Sequence, residues 1–181
     1  RVGAGVTMQR FLPLAEIIHP TFGTLVRRYG SEQVRAAATI GGNIANGSPI
    51  GDNPPALIAL DAVLHLRKGS IQRSIPIEDF FIEYGKQNLE EGEFVEAVSM
   101  PETAPDFRVY KLSKRFDQDI SAVCGAFHVT VSEGVVTNAR IAFGGMAGVP
   151  KRAANVEAAL IGSEWNEPVV RDAMRLFSDD F

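Results

Sequence analysis

Residues 38–62 read ATIGGNIANGSPIGDNPPALIALDA, and the stretch changes character halfway along. Its first half combines small residues, adjacent glycines and polar side chains without an amphipathic period, which predicts a loop. Pro54 and Pro55 then open a short apolar helix over residues 56–60, because proline is well tolerated in a first helical turn. Asn53 is the predicted N-cap of this helix.

The segments around this stretch predict a mixed α+β fold. Before it, residues 11–19 are apolar at near-helical spacing, and Phe22, Leu25, Val26 and Tyr29 lie on one face of a second short helix. After it, apolar and alternating runs predict strands at residues 63–66, 71–77, 94–100 and 107–112.

The C-terminal part predicts a hairpin followed by two helices. Residues 127–131 and 135–143 are the hairpin strands, and Glu133-Gly134 supplies the turn between them. Apolar residues at helical spacing then predict helices at residues 153–161 and 169–177.

A polar run at residues 86–91 lacks strand alternation and predicts a boundary between two units. We expect residues 1–88 to combine helices, a glycine-rich loop and short strands. Residues 89–181 are expected to form a small antiparallel sheet followed by helices.

Composition excludes several classes of function. The chain has 181 residues and a net charge of −4, so it lacks the excess of Lys and Arg that nucleic acids or anionic membranes require. Its longest apolar run, at residues 56–62, is far shorter than the roughly 20 residues of a membrane span. The single cysteine, Cys124, excludes an intramolecular disulfide and a cysteine-ligated iron–sulfur cluster within this chain, and it favours a reducing cytoplasm.

The run Thr39–Asn43, TIGGN, is the best candidate binding site. Adjacent glycines let a backbone approach a bulky anion and direct N–H groups towards it. Thr39 adds a hydroxyl and Asn43 an amide, which together fit a diphosphate. Ser48 and Asp52 carry groups that hydrogen-bond sugar or ribityl hydroxyls. The alternative is a tight turn with buried glycines, and the run is not the G-x-G-x-x-G dinucleotide fingerprint.

Other polar features have simpler interpretations. His19, His65 and His128 lack metal-ligand spacing, so no metal site is predicted. The charged run KRFDQD at residues 114–119 is typical of a solvated loop. Cys124 lies in an apolar run and is expected to be a small core residue.

The stretch at residues 38–62 resembles the second flavin-binding segment of the FAD domain of molybdenum hydroxylases, which has the vanillyl-alcohol-oxidase-like fold. Residues 107–125, FRVYKLSKRFDQDISAVCG, resemble the segment that follows in the same family. The resemblance covers essentially the whole chain. It implies an incomplete FAD-binding domain followed by a domain like the C-terminal one of the carbon monoxide dehydrogenase flavoprotein, with FAD as cofactor.

The resemblance also implies roles for particular residues. In the family T/S-x-G-G-N lies on the FAD diphosphate, which assigns this role to Thr39–Asn43, and the Asp after S-P-x-x contacts the cofactor, which implies Asp52. A Lys after an aromatic residue touches the flavin, which implies Lys111. Val95 matches a position whose backbone meets the flavin, and Tyr29 matches an aromatic position that packs on the cofactor. The predicted cofactor-binding residues are Tyr29, Ala38, Thr39, Ile40, Gly41, Gly42, Asn43, Ser48, Asp52, Val95 and Lys111.

For function, the resemblance implies an electron-transfer module. Substrate is hydroxylated at a molybdenum cofactor on a large subunit, and 2Fe-2S clusters on the same polypeptide or a partner pass electrons to FAD, which reduces NAD. Residues 112–123, LSKRFDQDISAV, are most similar to xanthine dehydrogenases, and in eukaryotic relatives this loop lies beside the isoalloxazine ring and influences NAD access. No side-chain acid or base is assigned, because the redox chemistry belongs to the cofactor.

Two alternatives remain open at this level. A flavin subunit of a related hydroxylase would act with a partner that oxidises carbon monoxide, an aldehyde, nicotinate or a hydroxybenzoyl thioester, because the partner selects the substrate. A subunit-docking domain that no longer binds flavin is the alternative from a different class, and the flavin absorbance spectrum of the full-length protein separates it from a flavoprotein.

The family carries an earlier diphosphate segment, which we expect to precede Arg1 in a longer polypeptide. The chain of residues 1–181 is therefore expected to fold but to hold FAD weakly and to be inactive alone. Each missing charge-assisted hydrogen bond forfeits roughly 1.5–3 kcal/mol of binding free energy. Flavin content of the purified chain, with and without the upstream segment, measures this; tightly held stoichiometric flavin in the shorter chain would contradict it.

Overall fold

The computed structural model describes all residues, 1–181. The helices are α1 (Met8–Ile18), α2 (Pro20–Arg27), α3 (Glu32–Ala37), α4 (Ile40–Ala45), α5 (Asn53–Ala59), α6 (Ala154–Leu160), α7 (Glu167–Met174) and α8 (Phe177–Asp180). The strands are β1 (Val2–Gly3), β2 (Val63–Lys68), β3 (Ile71–Pro76), β4 (Phe81–Glu83), β5 (Lys86–Gln87), β6 (Phe94–Ser99), β7 (Phe107–Leu112), β8 (Val123–Ser132), β9 (Val135–Gly144) and β10 (Lys151–Arg152). None of the helices combines the length and apolar composition that crossing a membrane requires.

Two four-stranded antiparallel sheets confirm the predicted α+β fold. The first sheet has the order β1-β6-β2-β3 and the second the order β10-β9-β8-β7, while β4 and β5 form a separate small hairpin. The predicted hairpin is also confirmed as β8 and β9. Glu133 and Gly134 both have positive φ angles, 51° and 80°, which is the geometry of a tight two-residue hairpin turn.

The structure corrects the predicted boundary between residues 88 and 89. Strand β6 pairs along β2, with Val63 opposite Ser99, so residues 94–99 belong to the first sheet rather than to the second unit. The polar run at residues 86–91 contains β5 and the turn after it, and such a turn is as polar as a linker. The two sheets divide between Ser99 and Phe107.

The predicted loop in the first half of residues 38–62 is also corrected, because it contains the helix α4. The Thr39 hydroxyl accepts a hydrogen bond from the Gly42 N–H and caps this helix. A helix of six residues is too short to display an amphipathic period, which explains why the pattern predicts a loop.

Asn53 is not the side-chain cap predicted for α5. The N-cap position is Asp52, and no side chain caps this helix end. The Asp52 carboxylate bonds Lys111 and Ser121 instead, while the Asn53 amide is fully buried and donates to the sulfur of Met8 at 3.6 Å. Tertiary contacts have therefore replaced the local cap.

Helix α5 joins the two sheets into one core. Every residue from Asn53 to Ala59 is buried, and the helix packs on β8 and β9 of the second sheet. The same hydrophobic cluster contains Leu57 and Ile58 of α5 and Cys124 of β8. Burial of a Leu or Ile contributes about 1.5–3 kcal/mol, so exposing α5 would cost both units stability. Cys124 is fully buried, which confirms its predicted place in the core, and this burial raises the pKa of its thiol to about 12.

Charged side chains reinforce this junction. The Arg140 guanidinium in β9 donates to the Ile58 carbonyl at 3.0 Å and lies 3.1 Å from Asp61 and 3.3 Å from Glu78. On the other face of the second sheet, α6 to α8 cover a smaller apolar cluster. Apolar packing and charged contacts together therefore join the two sheets.

Candidate functional site

A pocket of about 300 Å³ lies where the end of α2, the segment between α4 and α5, and the loop after β7 come together. Five predicted cofactor-binding residues share its wall: Tyr29, Asn43, Ser48, Asp52 and Lys111. Residues 118–121 of the loop after β7 complete the wall. The volume is at the lower end of the roughly 300–1,000 Å³ typical of ligand sites, so the pocket suits a ring-sized part of a larger molecule.

A buried ion pair forms part of the pocket wall. Lys111 Nζ lies 2.7 Å from Asp52 Oδ2, and the two side chains are only 3% and 6% exposed. The Ser121 hydroxyl donates to the other carboxylate oxygen. Asp52 stands at the start of α5 and Lys111 in β7, so the pair also connects the two units. The resemblance predicted Asp52 and Lys111 as separate cofactor contacts, and in the structure they contact each other.

Tyr29 and Asn43 form a second connected pair. The Asn43 amide donates to the Tyr29 hydroxyl at 3.4 Å, and its oxygen accepts from the Asn53 N–H at 3.3 Å. Burial, with a smaller effect of the Asp52 charge, raises the pKa of Tyr29, although the Asn43 hydrogen bond opposes the shift. Tyr29 therefore keeps its proton at neutral pH and can donate a hydrogen bond into the pocket.

Of the run Thr39–Asn43, only Asn43 lines the pocket, and the residues from Thr39 to Gly42 lie beside it. The Ile40 and Gly41 N–H groups donate to the Val6 and Ala4 carbonyls, and the Ala38 carbonyl accepts from the Met8 N–H. Gly41 is buried, and a Cβ there would lie 2.8 Å from the Cα of Ala4.

Gly42 has a different environment from Gly41. It is exposed, and a Cβ there would meet only the Thr39 hydroxyl oxygen, at 2.9 Å. Of the two glycines, only Gly42 therefore faces space that a ligand can enter. Contact of this run with a diphosphate stays a prediction.

Two further predicted residues have local roles. Val95 lies in β6 opposite Leu66, is 7% exposed and does not line the pocket. The Ser48 hydroxyl lines the pocket and accepts from the Ile50 N–H at 3.3 Å, which leaves its own proton free to donate.

Sequence reasoning assigned no site role to Arg28, which organises the loop after β7. Its guanidinium donates to the Lys111 carbonyl at 2.9 Å, the Ser113 hydroxyl at 3.0 Å and the Phe116 carbonyl at 3.2 Å, and it stacks 4.9 Å from the centre of the Phe116 ring. No local pattern predicts contacts across more than 80 residues of chain.

The charged run at residues 114–119 is exposed along most of its length, as expected of a solvated loop. It is nevertheless ordered by its own contacts: Asp119 accepts from the Arg115 N–H at 2.8 Å and pairs with the Arg115 guanidinium at 3.2 Å. Gln118, Asp119 and Ile120 line the pocket. The loop is thus both solvated and part of the site wall.

Comparison with known families agrees with this arrangement. Residues 1–103 match the family model for the FAD binding domain in molybdopterin dehydrogenase, and residues 108–181 match that for the CO dehydrogenase flavoprotein C-terminal domain. The chain therefore belongs to the FAD-binding domain family of the molybdopterin dehydrogenases, and the expected cofactor, FAD, is confirmed at the level of the family. The gap between the two matches coincides with the division between the two sheets.

Individual relatives differ in the reactions their names describe. Xanthine dehydrogenase 2 of Arabidopsis thaliana is 36% identical over 84% of the chain, and the nicotinate hydroxylase of Emericella nidulans is 34% identical over 87%. The chain spans 12% of the length of each of these relatives. The carbon monoxide dehydrogenase of Hydrogenophaga pseudoflava is similar in structure, with a TM-score of 0.88 and 28% identity over 96% of this chain and 61% of that one.

The donor set of the pocket fits the ring portion of FAD. An isoalloxazine edge presents carbonyl oxygens and ring nitrogens, which take hydrogen bonds from an ammonium, a phenol and a hydroxyl. Lys111, Tyr29 and Ser48 supply these groups, and Asp52 balances the Lys111 charge. The residues present are therefore chemically suited to the cofactor of the family.

The two glycines of the run give the first prediction from this geometry. In the full-length protein, Gly42→Val is expected to leave the fold intact and to abolish flavin retention, because the branched side chain occupies the exposed face of α4. Gly41→Val is expected to destabilise the fold, since its side chain meets the Ala4 backbone. Thermal unfolding and flavin absorbance measure the two effects, and normal flavin content in Gly42→Val would show that the run is only structural.

Asp52 gives the second prediction. Asp52→Ala leaves the buried Lys111 ammonium without its partner, and we expect FAD binding to weaken by about 1–3 kcal/mol. The matched control is Asp117→Ala, because Asp117 is exposed and makes no ion pair. Titration of apoprotein with FAD measures both dissociation constants. Equal values for Asp52→Ala and the wild type would remove Asp52 from the site.

Proposed function

We propose that this chain is the flavin module of a xanthine-dehydrogenase-type hydroxylase and passes electrons from iron–sulfur clusters through FAD to NAD. The observation that carries the proposal is the pocket in which the buried Asp52–Lys111 pair lies beside Tyr29 and Ser48. When bound, FAD accepts electrons pairwise or singly and releases them as hydride. The chain's own residues bind and orient the ring and exclude water from part of it.

The electrostatics of the pocket support an electron-accepting cofactor. Lys111 places a positive charge in a buried wall, where charge interactions are stronger than in water. Asp52 offsets the desolvation cost of that charge in the protein interior through the 2.7 Å contact with Lys111 Nζ. A fixed cation beside a ring favours the reduced, more negative state of that ring.

The wider assignment draws on the relatives. Several of them are named xanthine dehydrogenase, and the loop after β7, whose xanthine-dehydrogenase-like sequence covers residues 112–123, borders the pocket. The proposal includes a large subunit with the molybdenum cofactor, 2Fe-2S clusters on the same polypeptide or a partner, a cytoplasmic location and a role in purine oxidation. Nicotinate oxidation is the second candidate, favoured by the 34% identity to the nicotinate hydroxylase.

Anaerobic titration of the assembled enzyme tests the proposal. We expect xanthine to bleach the visible absorbance band of the oxidised flavin. Addition of NAD is then expected to restore this band while NADH forms. Nicotinate and carbon monoxide are the matched alternative substrates, and a dye acceptor is the control for NAD. If nicotinate bleaches the flavin and xanthine does not, the chain belongs to a nicotinate-oxidising enzyme instead. A complex without flavin would contradict the electron-transfer role itself.

A further inference from the structure

Ser121 completes the hydrogen bonding of the Asp52 carboxylate. One carboxylate oxygen takes Lys111 Nζ at 2.7 Å, and the other takes the Ser121 hydroxyl. Ser121 is 2% exposed and belongs to the pocket wall, although sequence reasoning gave it no role. Because a buried carboxylate is stable only when both oxygens are hydrogen-bonded, the hydroxyl is part of the same unit as the ion pair.

The Lys111 ammonium is only partly used by the protein. It has three N–H donors, and one of them bonds Asp52, while no second protein acceptor takes a hydrogen bond from Nζ. Its effect on a ligand in the pocket therefore depends on how fully Asp52 neutralises it. A hydroxyl that donates to Asp52 takes up part of the carboxylate's hydrogen-bonding capacity. It thereby weakens the attraction between the carboxylate and the Lys111 ammonium.

We infer that Ser121 is a positioning residue of the flavin site, whose hydroxyl fixes the Asp52 carboxylate and so keeps the Lys111 ammonium available to the pocket. This inference rests on the proposed function. Removing the hydroxyl leaves one carboxylate oxygen free, so Asp52 turns further towards Lys111 and the pocket becomes more negative. A more negative pocket holds the flavin less tightly and makes it harder to reduce.

The test compares four variants of the full-length holoprotein by FAD affinity and by the midpoint potential of the bound flavin. Ser121→Ala is expected to bind FAD about tenfold more weakly, the effect of losing one hydrogen bond to a charged group, and to shift the potential to more negative values. Ser121→Thr keeps a hydroxyl and is expected to restore both. Ser121→Cys keeps a side chain of similar size with a weaker donor, and its FAD affinity and potential are expected to be intermediate. This variant tests the inference if the alanine variant does not fold.

Ser163→Ala is the matched control. Ser163 is partly buried and its hydroxyl donates to the Ala159 carbonyl at 3.0 Å, but it does not line the pocket, so its loss should leave the potential unchanged. Folded Ser121→Ala or Ser121→Cys protein with the wild-type potential would overturn the inference while leaving the proposed function intact. Wild-type protein that holds no FAD would overturn the proposed function, and the inference with it. A merely structural Ser121 would alter stability without moving the potential.

Discussion

The buried ion pair between Asp52 and Lys111 is the contact on which the site depends. Burial of two charges carries a desolvation cost of several kcal/mol per ion, and their attraction offsets it only with good geometry and further hydrogen bonds. Here the Ser121 hydroxyl supplies such a bond to the carboxylate. A buried pair of this kind is poor evidence for added stability, since apolar residues of similar size often serve as well. Its location in the wall of a pocket instead supports the proposed role in cofactor binding.

The position of the pair follows from the packing of α5. This helix is buried from end to end and lies between the two sheets. Asp52, the residue just before it, therefore lies where the two units meet. Strand β7 brings Lys111 to the same junction with its side chain on the inner face, because inner and outer residues alternate along the strand. Arg28 then fixes the Lys111 backbone by donating to its carbonyl. Asp52 and Lys111 lie 59 positions apart in the sequence. They are brought together by the packing of α5, the alternation of side chains along β7 and the contact with Arg28.

This separation explains what the sequence could and could not predict. The β8–β9 hairpin and helix α6 were predictable because their signals are local: Glu133-Gly134 for the turn and an apolar period for the helix. The single helix predicted at residues 169–177 was wrong, because the chain there forms two helices, α7 and α8, that are interrupted after Met174. Strand β6 was assigned to the wrong unit, because alternation identifies a strand without identifying its neighbour.

At the site, the resemblance predicted a role in cofactor binding for Asp52 and for Lys111 but not their contact with each other. Ser121 and Arg28 were missed altogether, since a single serine or arginine in a short segment carries no pattern. Partners across the sequence depend on tertiary packing, which composition and spacing do not encode.

The charges of the site also separate two kinds of ligand chemistry. Within the pocket, Asp52 takes one of the three Lys111 donors, and the remaining donors suit the carbonyl oxygens and nitrogens of a polar ring, whose negative charge on reduction they stabilise. The exposed face of α4 is different, because Gly42 leaves room for close approach and the Thr39 hydroxyl keeps a proton to donate. A cofactor with a neutral ring at one end and a diphosphate in its middle matches both environments. A simple phosphate ligand would match only the second, and a neutral aromatic ligand only the first, so the combination of the two environments favours a flavin dinucleotide over either alone.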